Sequence, residues 1–351
     1  MDFDDLDEEM EKRVAEGEEV AGYVRENNQP RQGEELPLIT RSNMIPGIDK
    51  LPDKNKKEVP PYNGQKATER KPVLRLLVAH GVCDSFPQAW HLFADSAPPE
   101  IEVAMHEFPG HGHREDEEIL GDMDKLADDC YEGFKEAMDT GSFALLGHSI
   151  GCLIVTRVAA RARKELGVEP VVVFMIERGA PPYGKWSDEG FRVLHEDKME
   201  FMKVMQPMAA DLYKTGTAIG NRTMDMWQRG WFMENATMEV GDHEFQCPII
   251  AIYAERMVTN FIPADQVGEA LKDDFQSKMI KWNALHQKDK DGRLFVGHFP
   301  IWTFEEWSKW TSHSGGVTVL NCRGTDHMSI KSDDSFKRMV FDYCKEVVKE
   351  W

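Results

Sequence analysis

From residue 72 onwards the chain alternates between short apolar runs and longer segments with helical spacing of apolar positions. Runs such as VVVFMI predict strands that are buried on both faces, and segments such as MDKLADDCYEGFKEAMDTG predict amphipathic helices. Strands are predicted at 73–80, 101–108, 142–149, 169–177, 247–255 and 316–324, and helices at 87–97, 123–141, 151–167 and 335–351. This alternation predicts right-handed βαβ units, and therefore an α/β fold with a mostly parallel sheet and helices on both faces.

Three segments fall outside this alternation. Residues 1–70 are polar and rich in proline, and they predict an N-terminal extension to a domain over residues 71–351. Residues 186–243 have helical spacing and eight methionines, and residues 274–315 carry four tryptophans. Because both segments lie between predicted core strands, we interpret them as insertions. The first is expected to form a helical lid whose methionines line an acyl pocket, although they could simply pack helices onto the sheet.

Charge and cysteine content narrow the class of protein. A formal net charge of −20 disfavours nucleic acid or an anionic membrane as partner. No apolar run approaches the roughly 18 residues of a membrane span. The acidic N-terminus has no apolar segment of the kind found in secretory signals. Six scattered cysteines without a CxxC pair indicate reduced thiols, so a cytoplasmic location is expected.

One predicted strand ends in a motif that carries chemistry. LLGHSIG, residues 145–151, places Ser149 between two glycines where a strand meets a helix. The G-x-S-x-G pattern builds a sharp turn that exposes a serine nucleophile at the top of the sheet. The alternative is a plain turn with a serine at the helix N-cap, since the pattern is short. The context favours a nucleophile, because His80-Gly81 ends the first strand, where a second oxyanion donor is expected, and acid and histidine candidates follow the serine.

With this motif the chain resembles the type II thioesterases, which release acyl chains from carrier proteins of fatty-acid, polyketide and nonribosomal-peptide synthases. The resemblance covers about residues 72–345 and is strongest over 75–183. Its motifs are LLVAHGV (76–82), EFPGHGHRED (107–116), LLGHSIG (145–151), ERGAPP (177–182), ERMV (255–258) and GTDHMSI (324–330). PGHGHR and RGAPP are the more specific of these. The chain departs from the family in its oxyanion loop, HGVCDS, in a glutamate as acid, in a longer segment before the final histidine and in its N-terminal extension.

The resemblance implies an α/β-hydrolase fold and a serine hydrolase that needs no metal or cofactor. Ser149 would attack the thioester, His327 would accept its proton, and Glu255 would orient the imidazole. The backbone N–H groups of Ile150 and Val82 would bind the oxyanion. The substrate would be an acyl chain on an acyl carrier protein or on CoA, and the oligomeric state is left open.

The acid and the base each have alternatives. Glu255 follows the strand CPIIAIYA, where the family acid lies, but Asp265 and Glu177 are alternatives, and Glu255 could be a surface residue paired with Arg256. His298, in GHFP, resembles the family's Gly-His-Phe signature more closely than His327 does. We nevertheless predict His327 as the base, because it follows the last predicted strand and precedes the closing helix.

Several other residues could carry function or be structural. His80 and His148 are interpreted as structural. His111 and His113 are interpreted as solvated loop histidines rather than a metal pair, because no third ligand is evident. A basic stripe follows the elbow and is either a solvated helix face or a docking patch for an acidic carrier protein. It consists of Arg157, Arg161, Arg163 and Lys164.

Two other functions remain open. A carboxylesterase or lipase would use the same triad, and a catalytically idle binding protein would keep only the fold. The motifs PGHGHR and RGAPP favour the thioesterase, and an intact set of serine, acid and histidine counts against an idle protein.

Overall fold

A computed structural model describes residues 72–82, 84, 90–181, 192, 196, 199, 214–234, 238, 240–255, 260–261, 295–296 and 301–349. The predicted extension over residues 1–70 lies outside the described residues, as do parts of both predicted insertions, Asp265 and His298.

The core is a six-stranded sheet in which every neighbouring pair of strands is parallel. Its strands are β1 (Leu74–Ala79), β2 (Ile101–His106), β3 (Phe143–His148), β4 (Val173–Ile176), β5 (Ile249–Ala254) and β8 (Val317–Cys322), in the order β2-β1-β3-β4-β5-β8. Two further strands, β6 (Asn260–Phe261) and β7 (Phe295–Val296), form a separate antiparallel pair. All six predicted strands are present, although β4 is shorter than its apolar run.

Six α-helices connect or follow these strands. They are α1 (His91–Asp95), α2 (Met123–Asp139), α3 (Gly151–Leu166), α4 (Ala218–Glu234), α5 (Ile301–Glu305) and α6 (Asp334–Lys349) among the residues described. Short 3₁₀ turns cover Gly112–Arg114, Gly241–His243, Glu306–Trp310 and Ile330–Ser332. Asp122 caps α2 by accepting a hydrogen bond from the Lys125 N–H at 2.9 Å.

The strand order explains why helices lie on both faces. The chain runs from β1 to β2 in one direction and then returns past β1 to β3 and β4. Because crossovers are right-handed, this reversal puts α1 on one face and α2 and α3 on the other. Phe93 of α1 stacks on Phe341 of α6 with ring centroids 4.8 Å apart, so the closing helix shares the face of α1. Ligand sites of such sheets lie at the reversal point, beyond the carboxyl ends of β1 and β3.

The strands of this sheet form the centre of the hydrophobic core. The side chains of β1 through β5 in the main sheet are all buried, as expected for a parallel sheet covered on both faces. Five cysteines in the described part of the chain are buried and free. None of the described helices is long and apolar enough to cross a membrane.

Candidate active site

Ser149 lies at the junction of β3 and α3 in a strained backbone conformation. Its φ is +55°, a value that a residue with a side chain rarely adopts. The conformation is held by two hydrogen bonds: the Ser149 N–H donates to the Ile176 carbonyl at 2.9 Å, and the Ser149 carbonyl accepts from the Cys152 N–H at 3.1 Å. This strained strand-to-helix turn is the arrangement that a G-x-S-x-G motif builds around a nucleophile.

The glycine after the serine allows the elbow to lie directly against the end of β1. A Cβ atom at Gly151 would lie 2.1 Å from the carbonyl oxygen of Ala79, and one at Gly147 would lie 2.5 Å from the Cys152 nitrogen. Neither position can therefore hold a side chain without moving the backbone. The close approach brings Ser149 beside the loop that begins at His80.

His80 fixes the direction of the peptide that follows it. Its Nε2 accepts a hydrogen bond from the Phe108 N–H at 3.3 Å, so Nδ1 carries the proton and donates to the Gly81 carbonyl at 2.7 Å. Burial lowers the pKa of His80 to about 3, which keeps the ring neutral. Because a trans peptide is planar, holding the Gly81 carbonyl also directs the N–H of Val82 away from His80. His80 is structural, as the sequence suggested.

The two predicted oxyanion donors lie at this junction. Ile150 is the N-cap of α3, and Val82 lies in the loop after β1. Within the described part of the chain, neither backbone N–H has a hydrogen-bond acceptor. Two such groups at a helix N-terminus and a fixed loop are suited to binding an oxyanion.

His327 lies in the loop between β8 and α6 and contacts a buried carboxylate. Its Nδ1 is 3.2 Å from Oε2 of Glu177, a residue whose side chain is only 2% exposed. The ring centroid of His327 is 4.8 Å from that of His148, the chain neighbour of Ser149. The histidine that follows the last strand therefore lies beside the elbow.

Glu177 immediately follows β4 and has a left-handed backbone, with a φ of +57°. Its Oε1 accepts a hydrogen bond from the Ala254 N–H, which leaves Oε2 to face His327. Burial raises the pKa of Glu177 to about 8, and the hydrogen bond from Ala254 only partly offsets this. A positive charge on the neighbouring imidazole would stabilise the ionised form of this carboxyl group.

Glu255, the acid that the sequence favoured, occupies a different position. Its Oε2 accepts a hydrogen bond from the Gly324 N–H at 2.6 Å, in the turn three residues before His327. The carboxylate in contact with His327 is that of Glu177, one of the two alternatives. Both residues follow adjacent parallel strands, so both lie at the same edge of the sheet. The geometry therefore favours Glu177 as the acid and gives Glu255 a place in the support of the histidine loop.

The PGHGHRED segment is anchored by its arginine. Arg114 is buried, and its guanidinium donates to the Asp129 carboxylate of α2 at 2.7 Å and to Glu117 at 2.6 Å. His106 contacts the same Asp129 at 2.6 Å. This part of the family motif shapes the loop, because a buried guanidinium fixes the backbone around it through several directed bonds.

The sequence suggested that both histidines of this segment are solvated, and for His111 this is wrong. His111 is buried, its Nδ1 lies 3.0 Å from the Pro109 carbonyl, and burial lowers its pKa. His113 contacts the buried Glu107 carboxylate at 3.3 Å. Among the described residues no group of histidine, cysteine and acidic side chains is arranged to hold a metal ion.

The three arginines of the basic stripe on α3 pair with carboxylates of the protein. Arg157 pairs with Asp124 at 2.7 Å, and Arg163 pairs with Glu169. Arg161 contacts Asp128, Glu132 and Glu165 at 2.7–2.8 Å. These ion pairs favour the interpretation of the stripe as a solvated helix face over that of a docking patch.

Helix α4, from the predicted lid insertion, lies over the PGHGHRED segment. Arg222 donates to the Gly110 carbonyl at 2.6 Å, and Arg229 donates to the Ile119 carbonyl at 2.7 Å. Below the helix is a small, partly open apolar pocket. Its lining includes Val82, Phe108, His111, Ile150, Met226 and Met233. The lining thus includes both residues predicted as oxyanion donors and two methionines of α4.

An elbow serine at the sheet's reversal point, with a histidine and a carboxylate on the following loops, is the arrangement of an α/β hydrolase. Residues 75–218 match the sequence model of a family described as the thioesterase domain. Over 103 residues the chain is 33% identical to the gramicidin S biosynthesis protein GrsT of Aneurinibacillus migulanus, a match that covers 29% of this chain and 38% of that protein. These matches confirm the resemblance to thioesterases.

Solved structures confirm the fold class. The chain is similar to the RedJ thioesterase from the prodiginine pathway of Streptomyces coelicolor, with a TM-score of 0.52 and 17% identity over 81% of this chain and 92% of that one. It is also similar to ClbQ from the colibactin NRPS/PKS pathway, with a TM-score of 0.53 and 13% identity over 79% of this chain and 99% of that one. At this level of identity the similarity concerns the fold.

Proposed function

We propose that this chain is a serine thioesterase that hydrolyses acyl thioesters held by an acyl carrier protein of fatty-acid, polyketide or nonribosomal-peptide synthesis, or by CoA. The observation that carries the proposal is the strained Ser149, whose chain neighbour His148 lies against the ring of His327, which in turn contacts Glu177. The thioesterase match supports the reaction class, and the origin of GrsT and ClbQ in gramicidin S and colibactin biosynthesis supports a carrier-bound substrate.

In the first half of the reaction, Ser149 Oγ attacks the carbonyl carbon of the thioester while His327 takes its proton. In its ionised form, which its raised pKa of about 8 makes predominant only at higher pH, Glu177 holds the His327 ring with Nδ1–H towards its carboxylate and stabilises the imidazolium that forms. The N–H groups of Val82 and Ile150 donate to the oxyanion of the tetrahedral intermediate. When the intermediate collapses, the C–S bond breaks, and the thiolate leaves with the proton from His327.

In the second half, water attacks the acyl-serine while His327 accepts a proton from it. The C–O bond to Ser149 then breaks, the carboxylic acid leaves, and the serine regains its proton from His327. The small apolar pocket below α4 would receive the part of the acyl chain next to the thioester, because its lining is apolar and includes Val82 and Ile150. These side chains and backbone groups suffice for the chemistry, so we propose that no metal or cofactor takes part.

A cytoplasmic location follows from the same proposal, since the carrier-bound intermediates of these syntheses are made there. The five free, buried cysteines of the described residues fit a reducing compartment.

A fluorophosphonate probe and a substrate panel test the function. We expect the probe to label Ser149, and we expect hydrolysis of acyl-carrier-protein and acyl-CoA thioesters to exceed that of simple oxygen esters of equal chain length. Labelling with a preference for oxygen esters would indicate a carboxylesterase. A folded protein that is neither labelled nor active on either class would indicate a binding protein.

A further inference from the structure

Beneath the serine and the histidine lies a buried cluster of three polar side chains that the triad does not include. Lys331 Nζ is 2.5 Å from Asp84 Oδ1, and His148 Nδ1 is 3.2 Å from Asp84 Oδ2. All three side chains are at most 3% exposed. Although burial opposes it, Lys331 and His148 hold the pKa of Asp84 below its ordinary range, so the carboxylate is charged.

The three residues come from the three segments that build the site. Asp84 lies in the loop after β1, His148 is the last residue of β3 and the neighbour of Ser149, and Lys331 lies in the 3₁₀ turn after His327. Asp84 and Lys331 are 247 positions apart in the chain. The cluster therefore joins segments that the backbone does not hold together.

The cluster also contacts the backbone on both sides of the site. Asp84 Oδ2 accepts a hydrogen bond from the Gly81 N–H at 3.3 Å, one residue before Val82. His148 Nε2 is 3.1 Å from the carbonyl oxygen of His327. One end of the cluster thus reaches the loop that carries a proposed oxyanion donor, and the other reaches the backbone of the proposed base.

Stability alone does not account for such a cluster. A buried ion pair loses hydration on both partners, and apolar side chains of similar volume often give an equally stable core. What the charged groups add is direction, because each hydrogen bond requires a defined donor and acceptor geometry. Directed contacts matter most where three loops must be aligned for a reaction.

We propose that Lys331, Asp84 and His148 are positioning residues that hold the oxyanion loop, the elbow and the His327 loop in register. This proposal rests on the proposed hydrolase function for its effect on turnover, but the alignment itself is a property of the folded chain. We call the three residues the loop brace.

A double variant with a matched control tests the loop brace. Asp84→Leu/Lys331→Met replaces its ion pair with apolar side chains. Arg75→Met/Glu102→Leu does the same to a second buried pair, with Nε and Oε2 3.0 Å apart, near the opposite ends of β1 and β2. The readouts are thermal unfolding, kcat and KM for an acyl pantetheine thioester, and the rate of fluorophosphonate labelling.

We expect the loop-brace variant to lose kcat on the order of 100-fold, with KM within about threefold, since small misplacements of reacting groups cost this much. Labelling should slow in parallel. The control variant should change thermal unfolding but retain kcat per folded molecule. A folded loop-brace variant with wild-type kcat would overturn the proposal. If that variant does not fold, His148→Gln keeps the ion pair and takes its place, and wild-type kcat there is equally contrary.

Amide hydrogen exchange separates this proposal from the proposed function. In the loop-brace variant, peptides covering residues 78–90 and 323–335 should exchange faster than in the wild-type protein, whether or not either hydrolyses thioesters. Unchanged exchange in both peptides would overturn the loop brace. A wild-type protein that is neither labelled nor active, yet shows the exchange difference, would remove only the proposed function.

Discussion

At Ser149 the geometry is held by neighbouring backbone. Ser149 has a φ of +55°, and a Cβ at Gly151 would lie only 2.1 Å from the carbonyl oxygen of Ala79. Both features belong to one tight turn that packs on β1. At His327 the geometry depends on side chains from distant segments, since Glu177 is 150 positions away. The difference means that substitutions that move the backbone of the elbow should disturb the fold and the reaction together. Substitutions on the histidine side can separate the two.

Ser149→Ala should have the largest effect on activity. Loss of a triad nucleophile costs several orders of magnitude, so we expect thioester hydrolysis to fall at least about 1,000-fold. The hydroxyl has little packing to lose, so thermal unfolding should be nearly unchanged. Steady-state kinetics on an acyl thioester measure the first effect, and activity within about tenfold of wild type would refute the assignment.

His327→Ala should abolish fluorophosphonate labelling of Ser149, because the serine loses the base that accepts its proton. His298→Ala is the matched control. His298 is the alternative in GHFP, and this variant should retain labelling. Mass spectrometry of the labelled protein distinguishes the two variants. If the roles were reversed, His298 would be the base, and the loop after β8 would have no part in the reaction.

Glu177→Gln compared with Glu255→Gln tests which carboxylate orients the base. In Glu177→Gln the amide oxygen can accept from the Ala254 N–H, which turns the amide nitrogen towards His327 and favours the wrong tautomer. We expect kcat to fall on the order of 1,000-fold.

The Glu255→Gln variant can still accept a hydrogen bond from the Gly324 N–H through its amide oxygen. Its kcat should therefore stay within about tenfold of wild type, since a hydrogen bond is worth about 1 kcal/mol. A larger loss for Glu255→Gln than for Glu177→Gln would return the role to Glu255.

This pair of glutamates also marks where sequence reasoning stops. The strands, the elbow and the place of His327 follow from local patterns, because apolar runs, glycine spacing and order along the chain are local properties. Which of two carboxylates at the ends of adjacent strands reaches the histidine depends on the positive φ at Glu177. Periodicity does not encode that torsion, and family position favoured Glu255.

The same limit applies to charged residues that meet across the fold. Lys331 and Asp84 have no distinguishing pattern in the sequence, yet they are buried together. The arginines of α3 look like a free basic stripe in sequence, because their acidic partners lie largely on α2. Pairings of this kind depend on how helices and loops pack, which a single sequence read by its patterns leaves open.

Gly151→Ala tests the backbone side of the comparison. The added methyl group would overlap the Ala79 carbonyl, so we expect a loss of about 1–3 kcal/mol in the free energy of unfolding, as for other overpacked sites. The overlap can be relieved only if the elbow moves, which displaces Ser149. We therefore expect kcat to fall roughly 10- to 100-fold. Urea unfolding and steady-state kinetics measure the two effects.

Gly167→Ala is the control for this variant, at the other end of α3. No atom lies within 4 Å of a Cβ there, but the φ is +70°, so stability alone should fall. If Gly151→Ala kept full activity, the close approach to β1 would not be what positions the serine.

The last expected effect is a pH-dependent gain in stability in Glu177→Gln. Burial raises the pKa of Glu177 from its ordinary value of 4.5 to about 8, so the folded state holds a proton that the unfolded state releases between these values. The stability that this group contributes is complete below about pH 4.5 and is lost as the pH rises through 8. Glutamine has no proton to lose, so the melting temperature of the variant, relative to wild type, should increase from pH 5 to pH 8.

Scanning calorimetry of both proteins across this range measures the difference, in which other titrating groups cancel. A difference that stays flat or shrinks would mean that Glu177 is already ionised at pH 5, stabilised by the positive charge on His327. The expected outcome is a variant that loses activity while it gains stability at high pH. It would show that the histidine side keeps a buried carboxyl group at a cost to the stability of the fold.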